Sequence, residues 1–440
     1  MGNKDQKSIP TSKVKRAAKI VGTGAKVSGN YIKYYSKKAF NKNLTRDQLN
    51  SDNAEDIYNT LSELKGSALK VAQMMSMDEQ VLPTAYQQKF AMAQYNAPAL
   101  SYPLISKTFK QYLGQTPEET YDSFTKEAVN AASIGQVHKA EKDGNKLAVK
   151  IQYPGVADAI SSDLKLVKPL AARLFNMKSA DLNMYLEEVE SKLIEETDYL
   201  NELENGEKIR DLCGDFKDIV FPKYYRSLSS KRILTMDWIE GTMFNDFIKQ
   251  DIDQALRNRI GQSLWDVFLY QMRELQIVHA DPHPGNFIIT KDNKLCIIDF
   301  GCVKEIPDDF AHYYYQLLRP DILQHESELH EIYEKMDFFR PEDSEADKVK
   351  LKKVYENMIS LLGRPFHTDK FDFSDKSFFE SIFKMGEEIS KDKSIRKLNN
   401  ARGSRDAIYV MRTFFGLYNL LHQLKAKVQL IYPIYAKKAS

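Results

Sequence analysis

Two short motifs in the second half of the chain contain the residue types that phosphoryl transfer requires. His279, Asp281 and Asn286 have the spacing H-x-D-x-x-x-x-N, and the triplet Asp299-Phe300-Gly301 follows shortly after them. Phosphoryl transfer needs a carboxylate at the acceptor, oxygen ligands for magnesium and a cradle for the phosphates. Asp281 fits the first role, while Asn286 and Asp299 fit the second.

The segment between the two motifs predicts a β-hairpin. Residues 287–290 and 295–298 form two short apolar runs joined by the polar turn Lys291-Asp292-Asn293-Lys294, the pattern of paired strands. Such a hairpin would bring Asn286 and Asp299 to the same end of the ribbon. One cation could bind both of them there.

A metal-hydrolase site is the alternative interpretation of the first motif, with His279, Asp281 and His283 as ligands. Pro282 and Pro284 flank His283 and predict a stiff turn rather than a helix that presents paired ligands. The spacing therefore favours the catalytic loop that is typical of kinases.

A strand carrying a lysine is predicted upstream, because Leu147, Val149 and Ile151 alternate with Ala148 and Lys150. Ala148 would line a nucleotide pocket and Lys150 would reach the phosphates, as in the A-x-K pattern of kinases. The alternative is an edge strand with one solvated lysine, which the downstream motifs disfavour.

The loop before this strand is rich in alanine where a kinase has glycines. Residues 129–138 have the sequence V-N-A-A-S-I-G-Q-V-H, in which Gly135 is the single glycine. Alanine carries a Cβ, so its backbone cannot approach phosphates as closely. We expect this loop to hold nucleotide differently from an ordinary kinase. The residues expected at the nucleotide here are Ala131, Ala132, Ser133, Gly135, Gln136 and Val137.

Together these features resemble the UbiB/AarF family of atypical, protein-kinase-like proteins, from about residue 55 to the end of the chain. That family combines an A-A-S-I-G-Q-V-H loop, an A-V-K strand, an E-x-D motif, a proline-rich catalytic loop and D-F-G. The E-x-D motif matches Glu196-Thr197-Asp198. The resemblance implies that Glu202 pairs with Lys150, and that Glu196 and Asp198 contact a helical extension or the metal region. Without it, these carboxylates would be ordinary solvated helix surface.

The family also carries a K-x-G-Q motif on that extension, which matches Lys70-Val71-Ala72-Gln73 with alanine in place of glycine. The resemblance implies that this helix lies across the cleft and occludes the peptide-substrate site, which gives Lys70 and Gln73 a regulatory role. A solvated helix face is the alternative. The apolar stripe opposite them consists of Ile57, Leu61, Leu64, Ala68, Val71 and Met75.

The segment Arg232 to Gly241 predicts a strand that ends in a turn. In a kinase-like core this segment is the hinge between the lobes, and Met236 and Trp238 would contact the adenine. The alternative is a buried strand that stops at a glycine. Its position between Glu202 and Asp281 favours the hinge.

Composition sets outer limits on the protein. Its 440 residues include 42% hydrophobic and 28% charged residues, with a net charge of +2, which gives no indication of nucleic-acid binding. No apolar run approaches the ~18 residues of a membrane-spanning helix. Cys213, Cys296 and Cys302 cannot all be paired, so we expect free thiols and a reducing compartment.

Positive charge is concentrated at the beginning of the chain, where twelve Lys and Arg residues precede residue 49 against Asp5 and Asp47. Residues 11–40 could form a basic amphipathic helix that contacts anionic lipid; a flexible, soluble tail is the alternative. We expect a cytoplasmic protein, with peripheral membrane contact as the further hypothesis. Near the other end, residues 407–424 predict an apolar helix that packs in the core rather than anchoring the chain in a membrane.

The predicted fold is α+β: a two-lobed protein-kinase-like fold with an N-terminal helical extension of the K-x-G-Q type packed over the active-site cleft. Its predicted parts are a basic arm (1–54), the helical extension (55–115), an N-lobe (116–240) and a C-lobe (241–440).

The resemblance implies an ATPase linked to isoprenoid-quinone biosynthesis or membrane-lipid homeostasis, with ATP or ADP and Mg²⁺ as cofactors. Asp281, Lys150 and Glu202 would be catalytic, and Asn286 and Asp299 would hold the metal. The implied partners are nucleotide, anionic lipid or a quinone precursor, and quinone-biosynthesis enzymes, but no nucleic acid. A small-molecule kinase, a protein kinase and a nucleotide-gated lipid-binding scaffold remain alternatives.

Overall fold

The computed structural model describes residues 13–40, 47–64, 89, 100–131, 134–175, 179–398, 402–403 and 405–431. The chain divides into two compact units. Unit 1 comprises Met1–Glu204 and Lys223–Trp238, and unit 2 comprises Asn205–Pro222 and Ile239–Ser440. The boundary between Trp238 and Ile239 therefore lies inside the segment that the sequence predicts as a hinge.

Helices and strands are mixed along the described chain. The α-helices, in chain order, are α1 (Lys13–Phe40), α2 (Asp47–Leu64), α3 (Tyr102–Leu113), α4 (Pro117–Thr120), α5 (Val156–Phe175), α6 (Ser179–Glu196), α7 (Tyr199–Leu212), α8 (Phe244–Phe247), α9 (Gln254–Tyr270), α10 (Asp308–Tyr314), α11 (Glu326–Lys335), α12 (Glu345–Leu362), α13 (Lys376–Lys391), α14 (Lys393–Leu398) and α15 (Arg405–Leu424). The strands are β1 (Ser123–Phe124), β2 (Asn130–Ala131), β3 (Gly135–Lys142), β4 (Asn145–Gln152), β5 (Ile219–Val220), β6 (Ile233–Asp237), β7 (Gly241–Met243), β8 (Ile277–His279), β9 (Phe287–Thr290), β10 (Leu295–Ile297), β11 (Val303–Glu305), β12 (Lys370–Asp372) and β13 (Lys427–Gln429).

Unit 1 is built on an antiparallel sheet with the strand order β1-β3-β4-β6, in which β2 also pairs with β3. One face of this sheet packs on α3 through Ile105 and Phe109, and the apolar positions of β4 belong to the same buried cluster. The predicted alternation of β4 is confirmed, because Leu147, Val149 and Ile151 are all in that cluster.

Helices α1 and α2 pack against each other through one face of each. Val27 and Tyr34 of α1 are buried, as are Ile57 and Leu61 of α2. The Nδ2 atom of Asn30 also donates a hydrogen bond across the pair to Asn53 Oδ1, at 3.1 Å. The predicted basic helix in residues 11–40 is therefore confirmed over the range of α1. Lys70 and Gln73, with the packing of their helix over a cleft, lie outside the described residues.

Unit 2 contains the sheet β5-β10-β9-β7 and two strand pairs, β8 with β11 and β12 with β13. Its core surrounds α9, whose Trp265 and Phe268 are fully buried. The predicted core role of residues 407–424 is confirmed, since Phe414, Leu417 and Leu421 of α15 are buried. Among the residues that the structure describes, no helix is both long and apolar enough to cross a membrane.

The three cysteines are free thiols, as predicted. Cys213 and Cys296 are buried, and Cys302, which follows the D-F-G triplet, is half-buried. Burial raises the pKa of the Cys213 thiol to about 12, so this thiol stays protonated and acts as a core side chain.

Candidate functional site

A lysine and a glutamate form a buried ion pair in unit 1. Lys150 lies on β4, and Glu202 lies in the first turn of α7. The Nζ atom of Lys150 is 2.9 Å from each carboxylate oxygen of Glu202, and only 2% of the Glu202 side chain is exposed. The predicted pair is confirmed. Contact with both oxygens holds the ammonium in one place on the sheet.

The E-x-D motif forms the junction between α6 and α7. The backbone N–H of Leu200 donates to Asp198 Oδ1 at 3.2 Å, and the Glu202 N–H donates to the Asp198 carbonyl, also at 3.2 Å. Asp198 thus satisfies backbone donors at the start of α7, as an N-cap residue does. It sets where the helix that presents Glu202 begins.

The middle residue of the same motif ties this junction to the sheet. The carbonyl of Thr197 accepts a hydrogen bond from Gln152 Nε2 at 3.0 Å and another from the guanidinium of Arg232. Gln152 is the last residue of β4. The α6–α7 junction is therefore fixed to the strand that carries the lysine. The expected contact of Glu196 and Asp198 with the Lys70 helix remains a prediction, because Lys70 lies outside the described residues.

Tyr199 packs under the ion pair and explains the single glycine of the alanine-rich loop. Its buried ring centroid is 5.0 Å from Lys150 Nζ, within the range of a cation–π contact. A Cβ on Gly135 would lie 2.7 Å from the Ile151 carbonyl oxygen and 2.8 Å from the Tyr199 hydroxyl. Gly135 is thus needed for close packing within the protein.

Strand register places four of the predicted nucleotide residues on one face of the sheet. Val137 is opposite Lys150, and Ala148 is opposite Met236. Residues directly opposite each other in an antiparallel pair project to the same side, so all four share the face away from the buried cluster. Their contact with nucleotide stays a prediction.

Two further predicted positions flank this sheet. Ala131 of β2 pairs with Gln136 of β3, while Ala132 and Ser133 lie outside the described residues. Trp238 follows β6, and its N–H donates to the carbonyl of Lys146 at 2.9 Å. The end of β6 is thereby held beside the start of β4.

The Gln136 side chain does not lie where the sequence placed it. It was expected at the nucleotide, but it is fully buried and its amide is bonded to the backbone of Leu100 and to His138. The physical reason is the two-residue period of a strand. Because Val137 projects to the lysine face, Gln136 projects to the core.

In unit 2, the predicted hairpin between the two motifs is confirmed. β9 and β10 pair antiparallel with Ile297 opposite Phe287, and the Ile298 N–H donates to the Asn286 carbonyl at 3.0 Å. Asn286 therefore begins the ribbon at the same end where Asp299 leaves it. In the turn, Asn293 has a φ of +59°, a conformation that asparagine tolerates better than most residues.

The catalytic-loop motif is closed by its own side chains. Asn286 Nδ2 donates to the Asp281 carbonyl at 2.9 Å and to its Oδ2 atom at 3.2 Å. The Asp299 Oδ1 atom accepts from the Gly301 N–H at 2.9 Å. Since the Asn286 amide nitrogen bonds Asp281, its carbonyl oxygen is the atom that could bind a cation. An amide oxygen and a carboxylate are the hard ligands that Mg²⁺ takes.

His279 supports this loop from the core. Its Nε2 atom is 2.5 Å from the Asp299 carbonyl oxygen, so that nitrogen carries the proton. Its buried ring has Phe300 edge-on at 5.5 Å and Phe268 at 6.0 Å. These contacts make His279 a residue that positions Asp299, and they weigh against the metal-hydrolase interpretation, in which it would be a ligand.

Comparison with known families agrees with this geometry. Residues 92–333 match the model of the ABC1 atypical kinase-like domain, which is more than half of the chain. The chain belongs to this family. UbiB/AarF proteins are the same atypical kinases, and the fold is the α+β kinase-like fold predicted above.

Relatives of this family member carry kinase names. The probable serine/threonine-protein kinase abkA of Dictyostelium discoideum is 29% identical over 71% of this chain, and the match covers 57% of that protein. The atypical kinase COQ8, mitochondrial, of Saccharomyces cerevisiae is 28% identical over 85% of this chain and 76% of its own length. The chain thus spans little more than half of some relatives that it matches.

A solved structure is also similar. The complex of Rv3197 with erythromycin from Mycobacterium tuberculosis has a TM-score of 0.61 and 26% identity to this chain. The match covers 89% of this chain and 97% of the mycobacterial one. The structural similarity therefore extends well beyond the residues matched by the family model.

One further glycine of this ABC1 family member supports the catalytic loop. A Cβ on Gly416, inside α15, would lie 2.4 Å from Pro282 Cγ and 3.0 Å from the Pro282 carbonyl oxygen. Sequence reasoning missed it, although a lone glycine in an apolar helix often marks a close approach. Pro282 directly follows Asp281, so α15 determines where the loop lies.

Proposed function

We propose that this protein binds ATP and hydrolyses it in a Mg²⁺-dependent reaction. The observation that carries the proposal is the Lys150–Glu202 ion pair, at 2.9 Å to both oxygens. A lysine held by a buried carboxylate is the device with which kinases position nucleotide phosphates. Val137, Ala148 and Met236 share the face of the lysine and would line the nucleotide site.

In unit 2, Asn286 and Asp299 would hold the magnesium ion, and the loop suits this role. Both lie at one end of the β9–β10 hairpin, and together they offer an amide oxygen and a carboxylate. Magnesium, when bound with ATP, neutralises the charge that develops on the phosphates. Asp281, tied to Asn286, would orient or deprotonate the acceptor.

Water is the acceptor that we favour, because the alanine-rich loop departs from the glycine-rich loop of protein kinases. The biological setting that we propose is isoprenoid-quinone biosynthesis or membrane-lipid homeostasis, which rests on the family resemblance. Helix α1 supports a lipid-linked role, since it exposes Val21 and Ile32 and also Lys26 and Lys33. Such a basic, apolar helix can contact anionic lipid.

That surface also favours a second candidate, a nucleotide-gated lipid-binding scaffold in which turnover is incidental. A scaffold must bind nucleotide, but it does not need a carboxylate beside the phosphoryl acceptor. Kinase activity on a small molecule or a protein remains a less favoured alternative, because it requires an acceptor other than water.

The test is ATP hydrolysis with and without Mg²⁺, in the presence of anionic or zwitterionic vesicles, for the wild type, Asp281→Asn and Asp299→Asn. Hydrolysis that requires Mg²⁺, rises with anionic vesicles and disappears in both variants would support the ATPase. Nucleotide binding without hydrolysis in the wild type, together with vesicle binding that survives Asp281→Asn, would favour the scaffold.

A further inference from the structure

The buried side chain of Gln136 pairs with the main chain of a distant residue as a neighbouring strand would. Its Oε1 atom accepts a hydrogen bond from the Leu100 N–H at 2.6 Å, and its Nε2 atom donates to the Leu100 carbonyl at 3.4 Å. Both backbone groups of Leu100 are thus held by one amide. We call this pair of bonds the Gln136–Leu100 clasp.

His138 determines which way the amide of Gln136 points. Its Nδ1 atom is 2.7 Å from the Thr125 carbonyl, an acceptor, so Nδ1 carries the proton and Nε2 is left as an acceptor. The Gln136 Nε2 atom donates to it at 2.8 Å. The amide therefore uses one hydrogen for Leu100 and the other for His138. A flipped amide would lose these bonds.

The clasp is sealed from water and belongs to the core of unit 1. Gln136 and His138 are both fully buried, and the ring of Phe124 stacks on His138 with centroids 4.8 Å apart. Leaving such groups without partners would cost free energy. The buried amide of Gln136 therefore needs hydrogen-bond partners, and the main chain of Leu100 supplies two of them.

The two sides of the clasp are parts of the chain with different tasks. Gln136 belongs to the alanine-rich segment 129–138, and Ile134 of that segment is buried in one cluster with Leu100. Leu100 lies just before α3, in the chain that comes from the K-x-G-Q-like motif at residues 70–73. A movement of the chain at Leu100 relative to β3 must therefore strain the two hydrogen bonds of the clasp.

We infer that Gln136 is a positioning residue, which clasps the main chain at Leu100 and thereby couples the chain just before α3 to the alanine-rich loop. This inference rests on the proposed function, since the loop is taken to hold nucleotide. Its consequence is reciprocal: nucleotide at the loop steadies Leu100, and a steady Leu100 improves nucleotide binding, as linkage requires.

The test measures hydrogen exchange at the Leu100 amide in the full chain, without nucleotide and with saturating Mg-ADP. Gln136→Met removes all three bonds at nearly constant volume. Thr235→Val is the matched control. Thr235 is also fully buried and lies on the same face of the sheet, but its hydroxyl bonds Leu228 and Tyr121.

Without nucleotide, we expect Leu100 to exchange about tenfold faster in Gln136→Met, while Thr235→Val changes it no more than other amides of the sheet. Mg-ADP should slow the exchange of Leu100 in the wild type and in Thr235→Val, but not in Gln136→Met. The KM for ATP should rise several-fold in Gln136→Met with a smaller change in kcat, because positioning of the loop acts on binding.

Unchanged exchange at Leu100 in Gln136→Met would overturn the clasp. Equal protection of Leu100 by Mg-ADP in wild type and Gln136→Met would overturn the coupling. A wild type that binds no nucleotide would overturn the proposed function and the coupling together. Hydrogen exchange at the Leu100 amide in the nucleotide-free protein tests the clasp without depending on nucleotide binding. These failures are therefore distinguishable.

Discussion

Unit 1 and unit 2 hold their polar site groups in different ways. In unit 1 the partners are far apart in the chain and buried, as in Lys150 with Glu202 and Gln136 with Leu100, which are 52 and 36 residues apart. In unit 2 most of the bonds are local, since Asn286 bonds Asp281 five residues away. A buried pair of residues that are far apart in the chain is part of the core packing. A loop whose hydrogen bonds join near neighbours can lose one polar side chain and keep its fold. Damage to the first site should therefore lower stability as well as activity, and damage to the second should lower mainly activity.

The largest effect should come from Asp299→Asn in unit 2. Loss of the carboxylate should lower Mg²⁺-dependent ATP hydrolysis by about two to three orders of magnitude, because one electrostatic group at the phosphates is worth that much. The free energy of unfolding should change by less than ~1 kcal/mol. Hydrolysis assays and urea denaturation measure the two quantities.

Asp292→Asn is the matched control for this variant. Asp292 lies in the turn of the same hairpin, where it accepts a hydrogen bond from the Thr290 hydroxyl at 2.6 Å and is exposed. It should keep near-normal hydrolysis. Equal losses in both variants, or unfolding by Asp299→Asn, would break the contrast between the units.

Glu202→Leu in unit 1 should lower stability as well as activity. It leaves the Lys150 ammonium, whose side chain is only 15% exposed, without its carboxylate, which should destabilise the protein by about 2–4 kcal/mol. The double variant Lys150→Met with Glu202→Leu removes both charges and should recover much of that loss. Urea denaturation of Glu202→Leu, Lys150→Met and the double variant completes the double-mutant cycle. A double variant as unstable as the sum of the single variants would show that the pair is not coupled.

Gly416→Ala should displace the catalytic loop at Pro282, which contacts α15 at this glycine. Its new Cβ would meet Pro282 at 2.4 Å, so we expect a loss of about 1–3 kcal/mol from overpacking and a decrease in kcat. Gly24→Ala in α1 is the control. It has no neighbour within 4 Å and should stabilise its helix by up to ~1 kcal/mol. Normal kcat in Gly416→Ala would show that Pro282 moves without disturbing Asp281.

The smallest effect concerns a half-buried carboxylate in unit 2. Burial raises the pKa of Asp266 from 3.8 to about 6, so the folded state binds more protons than the unfolded state between these values. Stability is therefore lost as pH rises through this window. Asp266→Asn should raise the free energy of unfolding by about 1–2 kcal/mol above pH 7, after allowance for solvent screening.

The measurement is urea denaturation of wild type and Asp266→Asn between pH 4 and pH 8. The advantage of the variant should shrink as pH falls towards 4, where the Asp266 carboxyl of the wild type is protonated in the folded state and begins to be protonated in the unfolded state. An advantage that stays constant across this range would contradict the raised pKa.

The local pattern of residue types was enough to predict the hairpin of unit 2 and which residues of β4 share its buried face. The turn chemistry at residues 291–294 and the two apolar runs lie within one short segment, so nothing distant decides their pairing. The same period of two could have placed Gln136 in the core with His138, because both have the parity opposite to Val137. Consecutive residues of a strand therefore cannot all direct their side chains to the nucleotide.

The amino-acid sequence by itself determined the order of the motifs, the strand periods and, through the family resemblance, the partner of Lys150. Only the tertiary structure decided that Gln136 holds Leu100, that Thr197 anchors the α6–α7 junction to β4 and that Gly416 supports Pro282. The physical reason is that each of these contacts joins residues brought together by packing. Their energy depends on burial and on distances of a few ångströms, which no local pattern of residue types contains.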